Sequence, residues 1–280
     1  MYYETIKLNE IFPQLPQNQN FEPTLTAYCS ENTSEIDLNR KRPSILICPG
    51  GGYEFTSDRE AEPVALKFLS LGYNAFVLRY SVAPERYPTA LLQVSAAMTL
   101  IRRQAKKFNA DTDQIAVCGF SAGAHLACSL GVFWNEPFLA KTLMIEKGSN
   151  RPDAMILAYP VITSGEYAHT GSFDCLLGKD ASQELKDKMS LENQVSKEVP
   201  PTFLWHTFSD PVVPVENSLL FAGALKNSRI PFELHIYPEG PHGLSLCDYE
   251  TANTDDFLNP HCGTWVNLCD QWLKLLFPRK

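Results

Sequence analysis

Cysteine is sparse, with eight in 280 residues, and no Cys-x-x-Cys pair occurs. That excludes a disulfide-built scaffold and leaves the neighbours His261 and Cys262 without the further ligands a zinc site needs. Cys48, Cys118 and Cys128 lie inside apolar runs, where a reduced thiol packs as a small hydrophobe. Positive charge is short as well. Lys and Arg total 24 against 32 Asp and Glu, a formal net charge of −8, which argues against broad binding to nucleic acid or anionic lipid. No apolar run is long enough to cross a bilayer, and Met1 to Phe12 has no basic stretch leading into an apolar one. Internal repeats, low-complexity tracts and Gly/Ser-rich linkers are missing too. The expectation is a soluble, cytoplasmic protein with reduced thiols, no metal, no cofactor, and neither nucleic acid nor membrane as partner; self-association stays open.

What is present is a core. An apolar content of 44% over this length suits one large α/β domain, residues 1–280. The first forty residues, interrupted by Pro13, Pro16 and Pro23, read as edge strands or an arm over the body (1–42). From Pro43 onward, short apolar runs of strand length recur: Ser44 to Cys48, Asn74 to Tyr80, Gln114 to Cys118, Ala154 to Tyr159, Pro201 to His206 and Phe232 to Tyr237. Helical spacing fills the intervals. Leu91, Val94, Met98, Ile101, Ala105 and Phe108 mark one apolar face, with Arg102, Arg103, Lys106 and Lys107 toward water. Shorter stripes are Val64, Phe68, Leu71 ahead of Gly72; Val215, Leu219, Ala222; and Trp265, Leu268, Trp272, Leu276. Alternating strand and helix predict a mostly parallel central sheet with helices on both faces. The connection 161–199 is longer than an ordinary crossover; it predicts a short helix around Gln183 to Met189 and a small cap insertion over the carboxyl edge of the sheet.

Chemistry concentrates at Gly119-Phe120-Ser121-Ala122-Gly123, which ends an apolar strand and opens an apolar helix. A Gly-x-Ser-x-Gly at such a junction forces the serine into a strained turn that holds its hydroxyl out, while the glycines omit Cβ atoms that would collide. A serine hydroxyl near neutral pH needs a base and an acid to orient that base. Asp210 follows the run ending at His206, and His242 follows the run ending at Tyr237, so each lies just past a strand, where functional groups of α/β sheets gather. Ser121, Asp210 and His242 stand in the chain order nucleophile, acid, base. His242 would take the Ser121 proton, and Asp210 would hold the imidazole. Asp248, close in sequence to His242, is the rival acid, disfavoured because it does not follow a strand. His125 reads as a packed structural histidine, and His206 as one able to bond near the site. Cys48-Pro49-Gly50-Gly51-Gly52-Tyr53 follows the first core strand, and the amides of Gly51 and Gly52, with that of Ala122, would form the oxyanion hole. A phosphate loop is disfavoured, since the Walker lysine and Ser/Thr are missing.

These residues resemble the α/β-hydrolase superfamily, within it the esterase/lipase group related to hormone-sensitive lipase, and are most similar in pattern to bacterial acetyl-xylan or feruloyl esterase-like carbohydrate esterases. The resemblance runs from Pro43 to Phe277 and rests on Pro49 to Tyr53, Gly119 to Ala127, and Pro200 to His206 leading into Asp210 and Val213 to Ser218. Pro49 stands where many relatives have His, and Ala124 where Gly is frequent. The resemblance implies a cofactor-free serine esterase acting on short acyl esters, acetylated sugars among them. Two other readings remain open at this point. One is a peptidase of the prolyl-oligopeptidase type, disfavoured because no additional large domain is seen; the other is a non-catalytic ligand-binding relative.

Overall fold

The computed structural model describes residues 1–278. Eight strands, β1 (Tyr2–Lys7), β2 (Thr24–Cys29), β3 (Arg42–Cys48), β4 (Asn74–Arg79), β5 (Ala110–Phe120), β6 (Ala154–Ala158), β7 (Thr202–Thr207) and β8 (Phe232–Tyr237), form one sheet in the order β1-β2-β4-β3-β5-β6-β7-β8. The helices of the described residues are α1 (Leu8–Ile11), α2 (Glu62–Ser70), α3 (Thr89–Arg103), α4 (Ala105–Phe108), α5 (Ala122–Phe133), α6 (Pro137–Leu143), α7 (Thr170–Leu177), α8 (Gln183–Met189), α9 (Glu216–Asn227) and α10 (Trp265–Leu276). From β4 through β8 every pairing is parallel. Only β2 runs against its neighbours, β1 and β4, and β1 lies at one edge of the sheet.

The central strands read as unbroken apolar runs because both of their faces are covered. Alternate residues point to opposite faces. Ile45 and Ile47 pack with Val64 and Phe68 of α2 and with Trp265 and Leu273 of α10. Leu46 and Cys48 pack on the other side with Val94 and Ile101 of α3 and Leu126 and Leu130 of α5. Trp205 of β7 stacks on Trp265 with ring centroids 5.3 Å apart, which ties the closing helix to the sheet. Each such large side chain taken from water contributes roughly 1.5–3 kcal/mol.

Three expectations need correction. The stripe from Leu91 to Phe108 predicts one amphipathic helix, but the chain breaks it at Gln104, and all residues of α3 from Thr89 to Ile101 are buried. Leu8, Phe12 and Leu15 of the N-terminal segment join the same core and cover its outer face. Buried Gln93 of this helix accepts from the Ser81 amide at 2.7 Å and donates to the Ser81 hydroxyl at 2.8 Å. Arg102 does not face water. It donates to Asp153 at 3.1 Å and to the carbonyls of Ser149 and Thr112 at 2.6 and 3.0 Å. In α9, Leu219 is exposed rather than inward, because Asn217 occupies the inner face and its side chain serves the amides of Ile162 and Thr163 and the carbonyl of Tyr167.

The 161–199 connection holds the helix expected at Gln183–Met189 and also α7, which the sequence did not announce. The segment reaches the residues past β3 and β5 at two points. The carbonyl of Met189 accepts from His125 of α5 at 3.0 Å, and the Ser172 hydroxyl lies beside Gly52.

Candidate active site

β5 ends at Phe120 and α5 begins at Ala122, which leaves Ser121 alone between them with φ 52° and ψ −119°. Such a conformation costs a non-glycine residue about 1–3 kcal/mol and persists only where the surroundings dictate it. They do so here through four backbone bonds. The Ser121 amide donates to Ala158 O at 3.0 Å, and its carbonyl accepts from Ala124, His125 and Val161 at 3.0, 3.1 and 3.2 Å. A Cβ on Gly119 would stand 2.2 Å from the carbonyl oxygen of Gly123, and one on Gly123 would stand 2.2 Å from that of Cys48. Both glycines are therefore required by strand and helix packing through the same point.

The Ser121 side chain meets the imidazole of His242, Oγ to Nε2 being 2.7 Å. On the far side of the ring, Nδ1 lies 2.7 Å from Oδ2 of Asp210. A carboxylate only accepts, so Nδ1 carries the proton and Nε2 is left to accept from the serine hydroxyl. Asp210 is buried and held in place by the amides of Val212 and Val213, which donate to Oδ1 at 2.9 and 3.0 Å. Burial pushes its carboxyl up, but hydrogen bonds from His206 and His242, the positive charge of His242 and the Val213 amide outweigh that and hold it well below the usual carboxylate range. His206 fills the role of a nearby bonding histidine: Nε2 donates to Val213 O at 3.0 Å, stands 3.4 Å from Asp210, and Nδ1 accepts from Ser218 Oγ at 2.8 Å. The rival Asp248 turns its carboxylate to Glu250 and Thr251 within its own loop.

The glycine turn after β3 lies against the serine. A Cβ on Gly50 would meet Phe120 O at 2.6 Å and Ser121 Cβ at 3.0 Å. Gly51 and Gly52 have φ of 123° and 66°. Carbonyls of the turn point away into bonds with Glu54 and Ser57, at 2.9 and 3.0 Å, which leaves the amides of Gly51, Gly52 and Ala122 unengaged by other groups of the described residues. Tyr80 donates to Pro49 O at 2.6 Å, and the Tyr53 hydroxyl donates to Nδ1 of His125 at 2.9 Å. His125 is fully buried, and burial pushes its imidazole down to about 4. It therefore stays neutral and packs structurally, as its place on α5 predicts.

Two side chains at the site, Glu60 and Tyr159, escaped the sequence reading, and a third, His169, reads from sequence as a loop histidine without a role. Glu60 is buried and takes a hydrogen bond from the Gly50 amide at 2.7 Å and another from the Tyr159 hydroxyl at 2.7 Å. Tyr159 sets its ring edge-on to His242, centroids 5.1 Å apart. His169, from the 161–199 segment, bonds Ser172 at 2.8 Å; burial, then the charge of His242, push its imidazole down. Glu60 sits in Arg59-Glu60-Ala61-Glu62-Pro63 ahead of a helix, where an acidic residue ordinarily faces water at a helix N-terminus. No local signal separates it from Glu62. Among the described residues no group of three or more His, Cys, Asp or Glu is arranged to hold a metal ion, and no helix is long and apolar enough to cross a membrane.

Comparison with known proteins gives the family and the fold. The BD-FAE family model matches residues 35–225. Endo-1,4-beta-xylanase B of Butyrivibrio fibrisolvens is 41% identical over 241 residues, covering 82% of this chain and 36% of that protein. The acetylxylan esterase of Xylanibacter ruminicola is 28% identical over 237 residues, covering 82% of this chain and 44% of that one. The chain thus spans less than half the length of these two relatives. Among solved structures, the acetyl ester-xyloside bifunctional hydrolase of Caldicellulosiruptor lactoaceticus superposes with a TM-score of 0.83 at 40% identity, covering 98% of this chain and 96% of the other. The carboxylesterase Cest-2923 of Lactobacillus plantarum gives a TM-score of 0.83 at 27% identity, with 98% of each chain covered. With a strained serine between β5 and α5 and a family match across two thirds of its length, the chain belongs to the BD-FAE family and has the α/β-hydrolase fold.

Proposed function

We propose that this chain is a serine carboxylic-ester hydrolase that removes short acyl groups, acetyl groups on sugars among them, through an acyl-enzyme. The observation that carries the reading is the unbroken row from Ser121 Oγ to His242 to Asp210, with both links at 2.7 Å. Ser121 Oγ attacks the ester carbonyl while its proton passes to Nε2 of His242. The negative charge that develops on the carbonyl oxygen is stabilised in this reading by hydrogen bonds donated by the amides of Gly51, Gly52 and Ala122. Collapse breaks the bond to the alcohol oxygen, and His242 returns the proton to that leaving group. Water then attacks the acyl-serine, giving its proton to His242; the carboxylic acid leaves and Ser121 regains its hydroxyl hydrogen. Asp210 remains ionised throughout and stabilises the imidazolium.

The substrate class is supported by the names of two relatives, an acetylxylan esterase and an acetyl ester-xyloside bifunctional hydrolase. Residues 161–199 act in this reading as a small cap, with His169 and Ser172 on the wall beside Gly52. The test is hydrolysis of p-nitrophenyl acetate and of acetylated xylo-oligosaccharides by wild type and Ser121→Ala protein. Release of acetate that vanishes with Ser121→Ala supports the reading, and equal rates in the two proteins refute it. Cleavage of aminoacyl amides in preference to acetyl esters would favour a peptidase instead.

A further inference from the structure

Glu60 is the acidic side chain at the site that the mechanism above does not use, and it occupies a position where a carboxylate is costly. It is 3% exposed, and burial pushes its carboxyl up against the opposing pull of the Tyr159 and Gly50 hydrogen bonds and of positive charge on His242 and Arg59. Burying a carboxylate costs free energy unless its oxygens are hydrogen-bonded. Both of its contacts are donors: the Gly50 amide meets Oε2 and the Tyr159 hydroxyl meets Oε1, each at 2.7 Å. Each leads to a different half of the reaction. Gly50 is the residue whose Cα lies against Ser121 and which starts the turn carrying Gly51 and Gly52. Tyr159 stands edge-on to the His242 ring, and its hydroxyl also accepts from the amide of Ser245 at 3.0 Å, three residues beyond that histidine. Ser245 is pinned further by Oγ donating to Arg59 O at 2.7 Å and by its carbonyl accepting from Trp265 at 2.9 Å.

We propose that Glu60 is a positioning residue for ester hydrolysis: one buried carboxylate sets the oxyanion turn through Gly50 and the imidazole of His242 through Tyr159, so that donors and base are held in mutual register. The inference rests on the reading of Ser121, His242 and the glycine turn given above. A glutamine in its place has the same shape, but its amide presents N–H where one of two acceptors stood. Either the Gly50 amide or the Tyr159 hydroxyl then faces a donor, and the turn and the ring lose their common anchor.

The experiment is steady-state kinetics of Glu60→Gln on p-nitrophenyl acetate, beside the affinity for a short trifluoromethyl ketone, whose hemiketal oxyanion mimics the tetrahedral intermediate. Misplacement of catalytic groups by a fraction of an ångström lowers kcat by about 10- to 100-fold. KM stays within about twofold, and affinity for the ketone falls in parallel with kcat/KM, as expected for an interaction expressed in the transition state. A wild-type kcat, a loss confined to KM, or an unchanged ketone affinity would overturn the proposal. If Glu60→Gln does not yield folded protein by its thermal melt, Tyr159→Phe decides: it keeps the Gly50 bond and cuts the other, kcat is expected to fall about tenfold, and a wild-type kcat overturns the link to His242. Ser121→Ala run in parallel separates the two levels. Activity surviving in Ser121→Ala sinks the serine reading itself, whereas an inactive Ser121→Ala beside a fully active Glu60→Gln sinks only the role of Glu60.

Discussion

The two edges of the sheet place backbone strain in different kinds of position. At the amino edge, Asn109, Met144 and Arg229 have positive φ just past α4, α6 and α9, where a left-handed residue ends a helix and satisfies its last carbonyls. At the carboxyl edge, Tyr53, Ser121, Tyr159, Ser245 and Cys247 have positive φ in the loops after β3, β5, β6 and β8. None of these five ends a helix. Four of them bear on the site described above: Ser121 as the hydroxyl bonded to His242, Tyr53 and Tyr159 through their hydroxyls on His125 and Glu60, and Ser245 as the clamp on Tyr159. The amino edge is instead held by ordinary polar pairing such as Arg102 with Asp153. One edge holds the fold together, and the other keeps donors and acceptors in a geometry that an unstrained chain would not adopt.

The comparison predicts that substitutions at the carboxyl edge change rate more than stability, and that those at the amino edge do the reverse. The largest effect belongs to Ser121→Ala, which should lower kcat by about a million-fold if the three residues act as a unit, with little change in melting temperature. Asp210→Asn follows, at about ten-thousand-fold, because the imidazole loses the partner that fixes its tautomer. Gly123→Ala should cut kcat/KM by at least about a hundred-fold, since its Cβ would stand 2.2 Å from Cys48 O and force α5 away from the turn. At the other edge, Arg102→Met should leave kcat/KM at its wild-type value and cost roughly 2–3 kcal/mol in urea unfolding, as the partly buried Asp153 loses its partner. A rate loss there as large as that of Gly123→Ala would break the contrast.

An effect of similar size is expected on pH dependence. The folded state lowers His125 from 6.5 to about 4, so as the pH falls the unfolded chain takes up a proton first. The stability that goes with the neutral ring is complete above about pH 6.5 and is lost progressively down to about pH 4, amounting to about 3 kcal/mol. Denaturation curves at a series of pH values should show a shallower slope across that window in His125→Asn than in wild type. Equal slopes would mean that the ring titrates in the folded protein.

Local sequence carried those features whose cause is local. Ser121, Asp210 and His242 could each be named because a functional loop at the end of a buried strand has its own residue pattern, and the three are brought into one hydrogen-bonded row. The helix at Gln183–Met189 was legible for the same reason. Glu60 was not legible, since its partner Tyr159 lies 99 residues away and nothing beside Glu60 signals burial. Likewise the outer face of α3 reads as solvent-facing until the N-terminal Leu8 and Phe12 fold over it, and Arg102 reads as exposed until Asp153 arrives.

The sequence by itself determined the alternation of the core strands with helices from Pro43 onward, the turn at Ser121 and the three side chains that line up from Ser121 to Asp210, because apolar periodicity and glycine sterics act over a few neighbouring residues. Tertiary structure alone decided which buried polar groups meet: that Glu60 joins Gly50 to Tyr159, that His125 joins Tyr53 to Met189, and that His206 supports Asp210. Hydrogen bonding between buried groups depends on distances of a few ångströms between segments far apart in the chain, and only the packed sheet sets those distances.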